Sequence, residues 1–200
     1  PLLLFTDDDC RPADDWIAKT VSLFRRESRL ALAGGKVSLH NPNDSVLFTT
    51  FTEEPTRLSR GSDYLSHTIM GANMCARTES LRLAGGFDSR LGVGSPFNLT
   101  GEDFDMIYRL LEAGEQVGFY PDLIVAHAHG RQTVDEIKKA FCGYHAGFGA
   151  VVAKHCWRDM SLVQHAYWAL RRFARNGEWA YVRHFFHGFF ARLLPMWGRH

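Results

Sequence analysis

The sequence has little of what would make its class plain at once. Its four cysteines, Cys10, Cys75, Cys142 and Cys156, show no CxxC spacing. That excludes a zinc ribbon or a disulfide framework. It points instead to reduced thiols in a reducing, cytoplasmic compartment. No apolar run reaches the roughly 20 residues of a membrane span, and no internal repeat or low-complexity tract interrupts the chain. The formal net charge is only +1, with 22% charged and 46% apolar residues, which excludes a disordered chain. There is no initiating Met, and the chain begins inside the apolar run Pro1–Phe5. A run this apolar is normally a central strand of a parallel sheet, so further strands are expected before it.

Charge is present but uneven. From Lys154 to His200 there are eight Lys/Arg and two acids, so the preceding residues carry fifteen bases and twenty acids. A basic tail on an acidic body fits a partner of negative charge. An anionic membrane surface is one such partner, which would place the protein peripherally on the cytoplasmic face. Packing of the tail helices on the domain is the other reading. Nucleic acid is not among the expected partners.

Leu2–Phe5 reads as a buried strand and 14–27 as a helix with Trp16, Ile17, Val21 and Phe24 on its apolar face. Leu30–Val37 is a second strand. A long polar connection, His40–Asp63, follows; connections of this length are often functional. Thr68–Arg77 reads as extended, and Glu79–Leu83 as a short helix closed by Gly85-Gly86. Gly92–Thr100 is a loop, and Glu102–Ala113 a helix with Phe104, Ile107, Leu110 and Leu111 inward. Val117–Tyr120 and Leu123–Ala126 read as strands on either side of Pro121. From Val134 the pattern is helical. One stripe is Leu162, Val163, Ala166, Tyr167, Leu170 and Phe173. A second is Trp179, Val182, Phe186, Phe189 and Leu193. Strands alternating with helices predict an α/β body with a helical extension, divided into residues 1–133 and 134–200.

Three places could carry chemistry. Asp7, Asp8 and Asp9 follow the first strand directly, and adjacent carboxylates raise one another's pKa. In an extended segment Asp7 and Asp9 share a face and Asp8 points away. Two hard oxygen ligands on one face suit Mg²⁺ or Mn²⁺, which would cancel the repulsion. A solvated acidic turn is the plainer reading. The second place is Gly101-Glu102-Asp103-Phe104-Asp105 at a helix start. Thr100 and Asp103 match a capping box, and acids suit a first turn; a carboxylate there could equally be a general base. The third is the strand end His127-Ala128-His129. His127 could join the same metal, the pair could hold a separate one, or His127 could be a hydrogen-bonded structural residue.

Taken together, FTDDDCRPADDW, GANMCARTESLRLAGGFDSRLGVG and GEDFDMIYRLLEAGEQVGFYPDLIVAHAHG resemble three ordered segments of family 2 glycosyltransferases of the GT-A fold. The resemblance extends to YHAGFGA, over about Pro1–Gly149. It implies a mostly parallel, Rossmann-like sheet flanked by helices, with the nucleotide-binding strands lying before Pro1. It implies that Asp7, Asp9 and His127 hold a divalent metal, Mg²⁺ or Mn²⁺, on a nucleotide-sugar donor. Asp103 would be the base of an inverting transfer to a saccharide or lipid-linked acceptor, with Asp8, Gly71, Ala72, Asn73 and Glu102 positioning substrates. The QxxRW motif of processive synthases is absent, which favours a non-processive transferase. A non-catalytic module of the same fold and a metal-dependent phosphoryl-transfer enzyme are the alternatives.

Overall fold

The computed structural model describes residues 1–50, 52–59, 69–95 and 97–194. Parts of the expected connection His40–Asp63, Thr68 of the expected extended segment and Pro96 of the expected loop lie outside the described residues, as does the tail after Leu194. The chain forms two compact units. One comprises residues 1–86 and 106–133, the other 87–105 and 134–200. The expected division after Thr133 coincides with one seam. It takes no account of residues 87–105, which belong with the C-terminal helices.

The first unit is built on a six-stranded sheet of order β1-β5-β3-β6-β2, with β4 pairing to β6. The strands are β1 (Leu2–Phe5), β2 (Cys10–Pro12), β3 (Leu30–Leu39), β4 (Thr56–Leu58), β5 (Met74–Arg77) and β6 (Gln116–His127). The fold is α/β in class, but the sheet is mixed rather than mostly parallel: among the described residues β3 and β6 pair in parallel and the other pairs are antiparallel. Short β2 and β4 each run antiparallel to the long β6, and β5 runs antiparallel to β3 and β1. Leu30, Ala31, Leu32, Ala33 and Val37 of β3 are fully buried, as expected of a strand covered on both faces.

The two strands expected around Pro121 are one. Gly35 lies opposite Tyr120 and Lys36 opposite Ile124, so Pro121, Asp122 and Leu123 form a bulge. Pro121 has no N–H to offer a ladder, and a bulge needs none there. Helix α1 (Trp16–Arg26) buries Trp16, Thr20, Leu23 and Phe24, not the expected Ile17, which is 64% exposed. The hydroxyl of Thr20 donates to the Trp16 carbonyl at 2.8 Å, so a polar residue occupies an inward position without cost. Two arginines tie this unit together. Arg77 donates to the carbonyls of Phe24, Glu27 and Leu30 at the end of α1 and the start of β3. Arg109, in helix α3 (Glu102–Glu112), donates to those of Ala84 and Gly86 after helix α2 (Thr78–Leu83).

The second unit contains helices α4 (Val134–His155), α5 (Met160–Arg175) and α6 (Trp179–Leu193). Leu162, Ala166 and Phe173 of α5 are buried as expected, but Tyr167 is exposed. In α6 the buried residues are Phe185, Gly188 and Ala191, whereas Trp179, Phe186 and Leu193 of the expected stripe are exposed. The cause is close backbone approach. A Cβ on Gly188 would lie 1.7 Å from the Ala146 carbonyl oxygen of α4, and one on Gly149 would lie 2.0 Å from that of Phe185. Small residues define this interface, so the large aromatics face away from it. No helix among the described residues is long and apolar enough to cross a membrane.

Asn73 holds the middle of the first unit. It follows a 3₁₀ turn, Gly71–Asn73, and is fully buried. Its Oδ1 accepts from Trp16 Nε1 at 3.0 Å, and its Nδ2 donates to the carbonyls of Lys36 at 3.0 Å and Leu123 at 2.8 Å. These bonds link α1, β3 and the β6 bulge. The side-chain amide of this expected substrate-positioning residue is thus engaged in the scaffold. Leaving a buried polar group unsatisfied costs about 1–3 kcal/mol. Asn73→Ala should lower stability to urea by about 3 kcal/mol; a loss well under ~1 kcal/mol would contradict this role.

Candidate functional site

The acidic triplet leaves β1 and turns sharply. The Cys10 N–H donates to the Asp7 carbonyl at 3.1 Å, closing the turn. β2 then pairs antiparallel with the end of β6, with Cys10 opposite His127 and Arg11 opposite Ala126. The Ala128 N–H donates to the Asp9 carbonyl at 2.9 Å, extending the pairing beyond the strands. This register sets His127 against the acids. His127 Nε2 lies 3.2 Å from Asp9 Oδ1. Asp7, Asp9, Cys10 and His127 each offer a ligand atom within 4.8 Å of the others. Asp8 is exposed and outside this group. The turn, rather than strand alternation, brings Asp7 and Asp9 together.

Burial pushes the Asp7 carboxyl above its ordinary range. The His127 ring opposes that shift, Asp9 and Asp8 add to it, and Arg131 opposes it. Burial likewise raises the Cys10 thiol. Cys10 therefore stays protonated near neutral pH and is a poor ligand for a hard ion, while the two carboxylates and the imidazole remain. His127 Nδ1 is buried with no hydrogen-bond partner. Two crowded carboxylates and one imidazole make an oxygen-rich donor set of the kind that suits Mn²⁺ or Mg²⁺.

His129 is a different case. The Arg131 N–H donates to its Nδ1 at 3.0 Å, which leaves Nε2 to donate to the Ser45 carbonyl at 3.1 Å. Both ring nitrogens are engaged, which leaves neither free to join His127 in a separate metal site. Burial, then the neighbouring His127, keeps His129 below its ordinary pKa. The loop carrying it is fixed by Asp44, which accepts from the Gly130 N–H at 2.9 Å and Gln132 Nε2 at 3.0 Å. Arg131 stacks on Phe48 with its guanidinium carbon 4.9 Å from the ring centre. Gly71 is half-buried and Ala72 buried at the turn before Asn73.

Glu102 and Asp103 belong to the second unit. Both are half-buried in the first turn of α3. The helix begins at Glu102, one residue later than a capping box at Thr100 expects. Gly101, at φ 99°, stands immediately before the helix, and the Thr100 hydroxyl donates to the Gly143 carbonyl of α4 at 3.0 Å. Asp103 Oδ1 accepts from the N–H of Phe104 at 2.8 Å. A carboxylate at a helix N-terminus is stabilised in its ionised form by the helix dipole, which a general base requires. Asp105, two residues on, is completely buried and bonded to Lys154 and His155. Sequence reasoning missed this anchor and the Cys10 thiol. Cys10 could have been found from its position directly after the triplet.

The first unit thus joins a mixed sheet to a carboxylate–imidazole cluster. Residues 1–146 match the family described as glycosyltransferase-like family 2, and the chain belongs to it. Among curated relatives, the chain is 29% identical over 145 residues to the pre-mycofactocin glycosyltransferases of two Mycobacterium tuberculosis strains, CDC 1551 / Oshkosh and H37Rv. The matched region is 70% of this chain and spans 29% of the length of those relatives.

The raised Asp7 carboxyl has a consequence for stability. A group whose folded pKa exceeds its unfolded value favours folding below the unfolded pKa, and that contribution is lost as pH rises through the folded one. At neutral pH the ionised Asp7 is a liability that a bound cation would relieve. In EDTA at pH 7, Asp7→Asn should melt at or above the wild-type temperature. Mn²⁺ at 100 times its Kd should stabilise the wild type by about 2.7 kcal/mol and the variant by far less. A variant that melts lower in EDTA, or responds equally to Mn²⁺, would contradict this.

Proposed function

We propose that the full-length protein is an inverting, metal-dependent glycosyltransferase. It would move a hexose from a nucleotide-sugar donor to a hydroxyl of a saccharide or lipid-linked acceptor. The observation that carries this reading is the convergence of Asp7, Asp9 and His127 in a chain of this family. Asp7, Asp9 and His127 would hold Mn²⁺ or Mg²⁺, which when bound neutralises charge developing on the leaving diphosphate.

Asp103 accepts the proton of the acceptor hydroxyl. The freed oxygen attacks the anomeric carbon from the face opposite the diphosphate. The carbon–oxygen bond to the diphosphate breaks, and the nucleoside diphosphate leaves with the electron pair. One displacement inverts the anomeric centre. Glu102 and the Gly71-Ala72 turn would orient acceptor and donor, and Arg131 contributes positive charge on the side of Asp7. The exposed tryptophans of the tail carry no part of this reading.

General-base catalysis contributes about 10²- to 10⁴-fold. Asp103→Asn in the full-length protein should lower kcat by that factor with the donor KM little changed. Sugar transfer that continues at the wild-type rate would remove Asp103 from this role, and a chain with no transfer or donor hydrolysis in any form would favour a binding module.

A further inference from the structure

Beyond the reaction's candidate ligands and base, the second unit contains a buried ion cluster that the proposed chemistry does not use. Asp105 is fully buried. Lys154 Nζ lies 2.8 Å from Asp105 Oδ1 and 2.7 Å from Asp88 Oδ2, and His155 Nε2 lies 2.7 Å from Asp105 Oδ1. Arg192 Nη2, from α6, lies 3.3 Å from Asp88 Oδ2. Arg90 Nη2 donates to the carbonyls of Arg192 and Leu194. Burial pushes the Asp88 carboxyl up, but bonds from Lys154 and the Arg90 N–H, with the charges of Lys154 and Arg192, outweigh it and hold it below the ordinary range.

A buried ion network gives little net stability over apolar side chains of equal volume, because desolvation offsets the attraction. Its value lies in fixing geometry. Asp105 sits in the first turn of α3 with Glu102 and Asp103. Two residues apart on a helix, Asp103 and Asp105 point in nearly opposite directions, so the inward carboxylate can anchor the turn that presents the outward one. Lys154, His155 and Arg192 all lie after residue 146, where the family match ends. We propose that Lys154, with His155 and Arg192, is a positioning lock supplied by the helical extension, holding Asp105 and Asp88 so that the first turn of α3 presents Asp103 in one orientation. The extension is thereby part of the catalytic apparatus. The inference rests on Asp103 being the base.

The test uses the full-length protein, with turnover of a panel of UDP-, GDP- and dTDP-hexoses followed as nucleoside diphosphate release, and with hydrogen exchange over residues 99–106. Lys154→Met should lower kcat about tenfold or more, as misplacement by an ångström can, with the donor KM unchanged. Lys154→Arg should restore most of it. Exchange should accelerate in the first turn of α3 without a matching rise elsewhere. The double variant Asp105→Asn with Lys154→Met removes both charges together and avoids a lone buried carboxylate, so it is read if the single variant does not fold. It should melt near the wild type yet keep the low kcat and the fast local exchange. Wild-type kcat and exchange in a folded Lys154→Met or double variant would overturn the lock, as would a changed donor KM at unchanged kcat. Full activity of Asp103→Asn would instead overturn the base assignment, and if no donor turns over, the exchange over 99–106 alone decides the lock.

Discussion

The pairing of Cys10 with His127 is the constraint on which the first unit's chemistry depends. It brings a strand of three residues against the end of a strand of twelve, and in doing so sets an imidazole against carboxylates that repel one another. Without that register the triplet would be a solvated turn. With it, one carboxyl is pushed up by burial and one ring nitrogen lacks a partner. The crowding of the carboxylates is costly in the bare protein, and a bound cation would relieve it. Asn73 ties α1, β3 and the β6 bulge through one amide, and Asp44 fixes the loop that carries His129 and Arg131.

The second unit follows a different logic. Its helices approach through glycine and alanine, and its loop is joined to them by charge. The acidic start of α3 thus contains two kinds of carboxylate. Asp103 is half-buried at the helix N-terminus, and Asp105 is fully buried against Lys154 and His155. The same residue type serves as a candidate base in one place and an anchor in the other because burial and partners differ.

Much of this was legible in the sequence. Element types followed from periodicity, and the candidate ligands followed from the position of charged residues at strand ends. What was not legible has specific causes. Alternation rules gave Asp7 and Asp9 a shared face, but a turn closed by a backbone bond is what joins them. Pro121 was expected to separate two strands, whereas a bulge absorbs it. Apolar stripes on α1 and α6 pointed to Ile17 and Trp179, because the true interfaces use a self-satisfied threonine and small residues. The capping box at Thr100 matched by spacing, but Gly101 takes the position before the helix. The Asp105–Lys154 contact joins residues 49 apart, and no local pattern announces it.

The most direct measurement is pulsed EPR on Mn²⁺ bound to the full-length protein with a nucleoside diphosphate. The account predicts nitrogen modulation from an imidazole coordinated directly to the ion, lost in His127→Ala and unchanged in His129→Ala. Bound Mn²⁺ without that modulation, or modulation that survives His127→Ala, would contradict it.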